Sequence, residues 1–154
     1  RNYGIQEHRS NFFSTRDSTG ISPVICYESV FGEYVTDYIK KGSDFIFVIT
    51  NDGWWGDTPG YVQHHSYARL IAIENRRSIA HCGNTGISSF INQRGQVLQS
   101  TEYWTKTAIR GTLNANDKLT FYTRHGDYIA RIAYIFSLLI LLYTVTRILF
   151  IKKS

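Results

Sequence analysis

The 154-residue sequence has no methionine, two prolines and two cysteines. Translation starts on methionine and this chain starts on Arg1, so it is expected to be a processed product or part of something longer, with a catalytic set that extends beyond it. Two cysteines cannot build the cross-linked framework of a small secreted scaffold, and without a CxxC or paired Cys/His spacing no structural zinc site is expected. Concentrated positive charge is also lacking. Lys and Arg number 17 against 12 Asp and Glu, a net +5, but they are scattered, and the densest pair, Lys152 and Lys153, lies at the extreme C-terminus. No nucleic acid is therefore expected as a partner, because phosphate recognition needs a concentrated basic face. What is present, 43% apolar and 19% charged residues, excludes disorder for most of the chain and fits one folded domain.

One long apolar run is present. Residues 132–151 are interrupted by the single charge of Arg147, and as a helix rising about 1.5 Å per residue they span about 30 Å, a bilayer's hydrocarbon core. The run is apolar on all faces, whereas a buried core helix normally shows a polar stripe. Arg147 lies one turn from the end, where its stem can carry the charge to the headgroups. With Lys152 and Lys153 beyond it, the positive-inside rule places the C-terminus in the cytoplasm and the preceding domain outside; Arg124 and Arg131 on the other flank weigh against this.

Ahead of that run, residues 1–22 are polar, hold turn-forming clusters and read as loop. A short apolar stretch over 23–26 passes into helical spacing at Val30, Phe31, Tyr34, Val35, Tyr38 and Ile39, with Gly42 placed to stop it. Residues 45–49 (FIFVI) are a continuous apolar run, expected to be a strand buried on both faces. Strand, helix and strand in succession make an α/β unit. A turn-rich loop over 51–60 leads to a second helix over about 62–76, with Tyr67, Leu70, Ile71 and Ile73 on its core face. Strands are expected at 79–81 and 87–91, the latter joined to 97–98 as a hairpin, and one more at 107–113. The α/β domain runs to about residue 115, and a connector reaches residue 128.

Cys26 holds the most chemical promise, because it falls where a strand ends and a helix begins. The unpaired N–H groups and dipole of a helix N-terminus stabilise a thiolate, and the N–H of Tyr27 is then available to a developing oxyanion. The alternative is a buried cysteine acting as a small hydrophobe. A thiol nucleophile also needs a base and an orienting group. Glu28 either hydrogen-bonds nearby or favours the helix start. His64 and His65 open the second helix, where one faces the site or both serve as capping or surface residues. Cys82 and His81 are adjacent in a strand and so point to opposite faces, which makes Cys82 core packing. Trp54 and Trp55, on a glycine-bounded loop, either line a binding surface or membrane interface or pack beneath the loop.

The runs Ile25-Cys26-Tyr27-Glu28, Phe31-Gly32, Thr50-Asn51-Asp52-Gly53-Trp54-Trp55-Gly56, Gln63-His64, Ala68-Arg69 with Ala72 and Glu74, and Asn84-Thr85-Gly86-Ile87-Ser88 stand in this order. Together they closely resemble the carbon-nitrogen hydrolase (nitrilase) superfamily. Residues 120–127 (TFYTRHGD) and the closing apolar run resemble its membrane-bound branch, the N-acyltransferases of lipoprotein maturation. The resemblance implies an α/β fold, the C-terminal half of a nitrilase-like αββα sandwich followed by one transmembrane helix, with residues 1–128 as the hydrolase-like domain and 129–154 as the membrane helix and a short cytoplasmic tail. It implies an enzyme of the bacterial inner membrane with a periplasmic catalytic domain and with neither cofactor nor metal. Such an enzyme takes a fatty acyl group from a phospholipid donor as a cysteine thioester and passes it to the N-terminal amino group of a diacylated lipoprotein acceptor. Cys26 matches the family's nucleophile, Tyr27 and Glu28 its catalytic neighbours, and Trp54 the tryptophan of the pocket loop; Trp55 and His64 join Trp54 as substrate-binding residues. The family's general-base glutamate and lysine precede the nucleophile, whereas here Glu7 is the one glutamate ahead of Cys26 and the first lysine is Lys40. The isolated chain is therefore expected to be inactive. Ile71 departs from the arginine common at that position. Two competing readings are a membrane-tethered amidase or nitrilase-like hydrolase and a non-catalytic membrane-anchored α/β module.

Overall fold

The computed structural model describes residues 10–151; Glu7, Lys152 and Lys153 lie outside the described residues. Among the described residues, six strands form one sheet in chain order: β1 (Phe12–Phe13), β2 (Gly20–Ile25), β3 (Phe45–Asn51), β4 (Ser78–Asn84), β5 (Ser89–Ile91) and β6 (Val97–Ser100). The central β2, β3 and β4 are parallel, and β1, β5 and β6 add antiparallel pairings at the two sides. Parallel neighbours need crossovers, supplied by α1 (Gly32–Lys40) and α2 (Pro59–Asn75).

Register decides which residues share a face. Ser22, Ile46, Ile79 and Ile91 line up across the sheet, as do Val24, Val48, His81 and Ser89. These positions are buried, the apolar ones among them in a single core with Val35, Tyr38 and Ile39 of α1 and Ala68, Ile71 and Ala72 of α2. The other face carries Ile25, Phe47 and Ile49, all exposed. The 45–49 run is thus buried on one face, not both, because among the described residues the helices cover one face of the sheet. A bare apolar face is what an αββα sandwich packs against its second sheet, so the chain supplies one helical layer and one sheet layer of that fold. Cys82, expected in the core, lies exposed, in register with Ile49 on the bare face.

Other expectations shift for local reasons. The segment read as loop holds β1 and the start of β2, with Phe12 and Phe13 opposite Ile21 and Gly20. Residues 107–113 form no strand; Ser78 Oγ and Gln93 Nε2 donate to the carbonyl of Asn114 just beyond, in place of a ladder. In α2 the helical period is right and the phase is not: His64, His65, Ala68, Ile71, Ala72 and Asn75 face inward, while Tyr67, Leu70 and Ile73 are exposed. Alanines allow close approach to the sheet, and the inward histidines are held by hydrogen bonds. The N-terminus of α2 is set by Thr58, whose Oγ1 accepts from the N–H of Gly60, with Pro59 at the first helical position.

A short helix, α3 (Phe121–His125), capped by Thr120, leads into α4 (Tyr128–Ile151). Residues Tyr128–Phe150 have mean hydropathy 2.0 and none of the window is buried, which makes α4 long and apolar enough to cross a membrane. It begins four residues before the apolar run, and an ion pair between Arg131 and Glu33 ties its first turn to α1.

Candidate active site

The C-terminal ends of β2 and β3 carry Cys26 and Asp52 on one edge of the sheet, the edge at which open α/β sheets bind their ligands. Cys26 follows β2 directly and opens a 3-10 turn over Cys26–Val30, with φ at +49°. A left-handed backbone at a residue other than glycine costs about 1–2 kcal/mol, and the neighbourhood holds it. Ser29 Oγ donates to the Cys26 carbonyl at 2.8 Å, and His64 Nε2 lies 3.2 Å from the same oxygen. Glu28 braces the turn with both oxygens: Oε2 accepts from the Ile25 N–H at 2.8 Å and Oε1 from the Tyr34 hydroxyl at 2.7 Å. The thiol itself is half-buried, 3.3 Å from Thr50 Oγ1.

Behind the turn lies a buried polar chain. Thr50 Oγ1 donates to Asp52 Oδ1 at 2.7 Å, the same oxygen is 2.9 Å from His64 Nδ1, and His64 Nε2 is 2.9 Å from Ser29 Oγ. Asp52 and Ser29 are fully buried and His64 is 2% exposed. Burial works against a charged Asp52. Hydrogen bonds from His64 and Thr50, with the charges of His64 and His81, outweigh it and hold the carboxyl below its ordinary value. His81 donates from Nδ1 to the Ile87 carbonyl at 2.9 Å. Burial, then the charge of His65, pushes it down to about 4, so it is neutral at pH 7. Burial and then Arg69 likewise lower His65, whose Nε2 is 2.7 Å from Ser89 Oγ.

Asp52, His64 and His81 are also the set among the described residues whose donor atoms come within 4.8 Å of one another. Both nitrogens of His64 are already engaged, which leaves Asp52 Oδ2 and His81 Nε2 open. Two open ligand atoms fall short of the three or four protein ligands that zinc takes.

Cys26, Tyr27 and Glu28 therefore share one turn, with His64 sealed behind it. Trp55 is half-buried, its ring 5.4 Å from that of His64, and Trp54 stands 83% exposed. Tyr27 and Phe31, both exposed, meet edge to face beside the turn. His65 sits apart, on Ser89. Sequence reasoning missed Ser29, Thr50, Asp52 and His81. A signal for two of them existed: the two-residue period of β3 puts Thr50 on the face of Ile46 and Val48, and Asp52 next in phase, so a hydroxyl and a carboxylate continue a buried row at the sheet's C-terminal edge.

The model of the carbon-nitrogen hydrolase family matches residues 1–117. Among curated proteins, the apolipoprotein N-acyltransferase of Chlorobaculum tepidum is 35% identical over 122 residues, 78% of this chain and 23% of that protein. That of Haemophilus influenzae is 36% identical over 106 residues, 69% of this chain and 20% of that protein. The chain spans less than a quarter of the length of these curated relatives. Among solved structures, a Saccharomyces cerevisiae member of branch 10 of the nitrilase superfamily aligns with TM-score 0.55 at 17% identity, over 67% of this chain and 40% of that one. A variant of the Nesterenkonia amidase, with the acetamide moiety of fluoroacetamide added covalently at its active-site cysteine, aligns with TM-score 0.53 at 18% identity, over 64% and 40%. These likenesses show the fold.

Proposed function

The chain belongs to the carbon-nitrogen hydrolase family, and from that premise we propose that it carries the nucleophile and a membrane anchor of a phospholipid-dependent N-acyltransferase that matures bacterial lipoproteins. The observation that carries this reading is the left-handed Cys26 turn joined, in one chain, to a helix of membrane-crossing length. Relatives that carry the transferase name support it.

In the first half-reaction the Cys26 thiolate adds to the ester carbonyl of a phospholipid. The Tyr27 N–H, at the start of the turn, donates to the developing oxyanion. Collapse breaks the ester C–O bond, the lysophospholipid oxygen takes a proton, and a thioester remains on Cys26. In the second half-reaction the α-amino group of a diacylglyceryl-cysteine lipoprotein adds to that thioester, the C–S bond breaks, and an amide forms. A covalent intermediate lets two bulky lipids use one site in turn. Glu28 has both oxygens engaged, by the Ile25 N–H and the Tyr34 hydroxyl, so it serves as the brace of the turn, and the proton acceptor for Cys26 is the glutamate that the family supplies from outside the described residues. Trp54 and Trp55 form the wall against which acyl chains lie and water is limited between the half-reactions. Residues 1–128 form the catalytic domain on the periplasmic side of the inner membrane. Residues 129–154 cross it to a cytoplasmic end.

The reading is tested by giving the membrane-bound protein a phospholipid and a diacylated lipoprotein peptide. The expected product is a peptide with a third, amide-linked chain. Free fatty acid with the peptide unchanged would identify a hydrolase instead.

A further inference from the structure

We infer that Asp52 and His64 are positioning residues that polarise the Cys26–Tyr27 peptide group and so set the strength of the N–H that receives the oxyanion. This rests on the proposed roles of Cys26 and Tyr27. The order Asp52, His64, Ser29 has the connectivity of an acid–imidazole–nucleophile triad, 2.9 Å at each link. Ser29 is not its nucleophile: it is fully buried, and its hydroxyl is spent on the Cys26 carbonyl. The triad is turned away from solvent and ends on a backbone oxygen.

Counting hydrogens decides what the imidazole does there. Asp52 Oδ1, a carboxylate oxygen that already accepts from Thr50, can only accept, so His64 Nδ1 bears a hydrogen. Ser29 has one hydroxyl hydrogen and uses it on the Cys26 carbonyl at 2.8 Å. Its oxygen is therefore an acceptor toward His64 Nε2, and so is the Cys26 carbonyl at 3.2 Å. A hydrogen on Nε2 satisfies both contacts, whereas a lone pair there would face two others. Donation from both ring nitrogens thus satisfies every one of these contacts, with the Asp52 carboxylate alongside.

The Cys26 carbonyl then receives two donors, one of them tied to the Asp52 carboxylate. That carbonyl and the Tyr27 N–H are the two ends of one conjugated amide. Donors at the oxygen draw electron density through the C–N bond and make the N–H a better donor, as successive hydrogen bonds polarise one another. The same contacts pin the carbonyl inward, so the N–H of this trans peptide is held on the opposite side.

The test compares two reactions of Cys26 in the membrane-bound protein purified in detergent. Acylation by phospholipid passes through an oxyanion, and alkylation by iodoacetamide does not. His64→Gln and Asp52→Asn are expected to lower the maximal acylation rate by about tenfold to a hundredfold, short of losing a whole oxyanion donor, with KM within about twofold. The alkylation rate and its pH profile should stay at the wild-type values. Ser29→Ala, which removes the hydroxyl donor alone, should give a smaller fall in acylation and again no change in alkylation. Acylation at the wild-type rate in His64→Gln overturns the inference. Equal loss of both reactions in His64→Gln and Ser29→Ala overturns it too, because that pattern marks general damage to the turn. Wild-type protein that takes up no acyl group on Cys26 refutes instead the proposed function beneath it.

Discussion

Replacing Glu74 by Gln should stabilise the domain above neutral pH and do nothing in acid. Glu74 ends α2 where α1 and α3 converge: a Cβ added to Gly32 would stand 2.6 Å from Glu74 Oε2 and 2.6 Å from the Tyr122 hydroxyl. Oε2 is buried with no hydrogen-bond partner among the described residues. Burial first, then the charge of Asp127, raises the carboxyl from 4.5 to about 7. The folded state therefore holds a proton that the unfolded chain releases. The contribution is fully present below pH 4.5 and is lost as pH rises through about 7. At about 1.36 kcal/mol per pH unit the whole interval is worth about 3 kcal/mol, which solvent screening of a partly exposed group reduces to about 1–2 kcal/mol. For a chain of this size that is a Tm difference of about 2–8 °C. Thermal unfolding from pH 4 to 8.5 should show the wild-type Tm falling through pH 7 and the Glu74→Gln profile staying flatter, the two meeting near pH 4. A Glu74→Gln protein less stable than wild type at pH 8.5 would refute the reasoning, since it would mean that the ionised carboxylate is well partnered.

His81 has the opposite sign. Its proton affinity is depressed from 6.5 to about 4, so stability present above pH 6.5 is lost as pH falls toward 4, by about 3 kcal/mol; the acid limb of the same unfolding profiles measures it, and an acid limb unchanged in His81→Asn would contradict the assignment. Gly86→Ala should destabilise by about 2 kcal/mol, because a Cβ there would lie 2.7 Å from Asp52 Oδ2 and 2.8 Å from Asp52 Cβ; denaturant titration reads the loss, and acylation should fall with it as Asp52 is displaced. Trp54→Ala removes a ring that is 83% exposed, so stability should change by less than about 0.5 kcal/mol while the rate of thioester formation from long-chain phospholipid drops; an unchanged rate would exclude Trp54 from the acyl wall.

The α/β alternation, the hairpin and the membrane-length helix were legible because each rests on a local period that tertiary packing did not override. Burial was less legible. The 45–49 run looks the same whether one face or both are covered, and only the placement of α1 and α2 decides. The phase of α2 was misread for a related reason: Tyr67, Leu70 and Ile73 are the more apolar residues, yet small Ala68 and Ala72 and the hydrogen-bonded His64 and His65 suit the close helix–sheet approach. At the site, the place of Cys26 between a strand and a helical turn was legible. The period of β3 put Thr50 and Asp52 on a buried row, but their link to Ser29 and His64 was not legible, because it is a set of contacts between the end of β3, α2 and one turn. His64 illustrates the difference: its motif suggested substrate contact, and its burial gives it a place behind the Cys26 turn.

The central claim is that Cys26 carries an acyl group. Intact-mass measurement of the membrane-bound protein after incubation with phospholipid tests this most directly. The account predicts a species heavier by one acyl chain less the displaced hydrogen, released by hydroxylamine as a thioester is, and absent from Cys26→Ala. An adduct that persists in Cys26→Ala, or wild-type protein that gains no acyl mass, would contradict it.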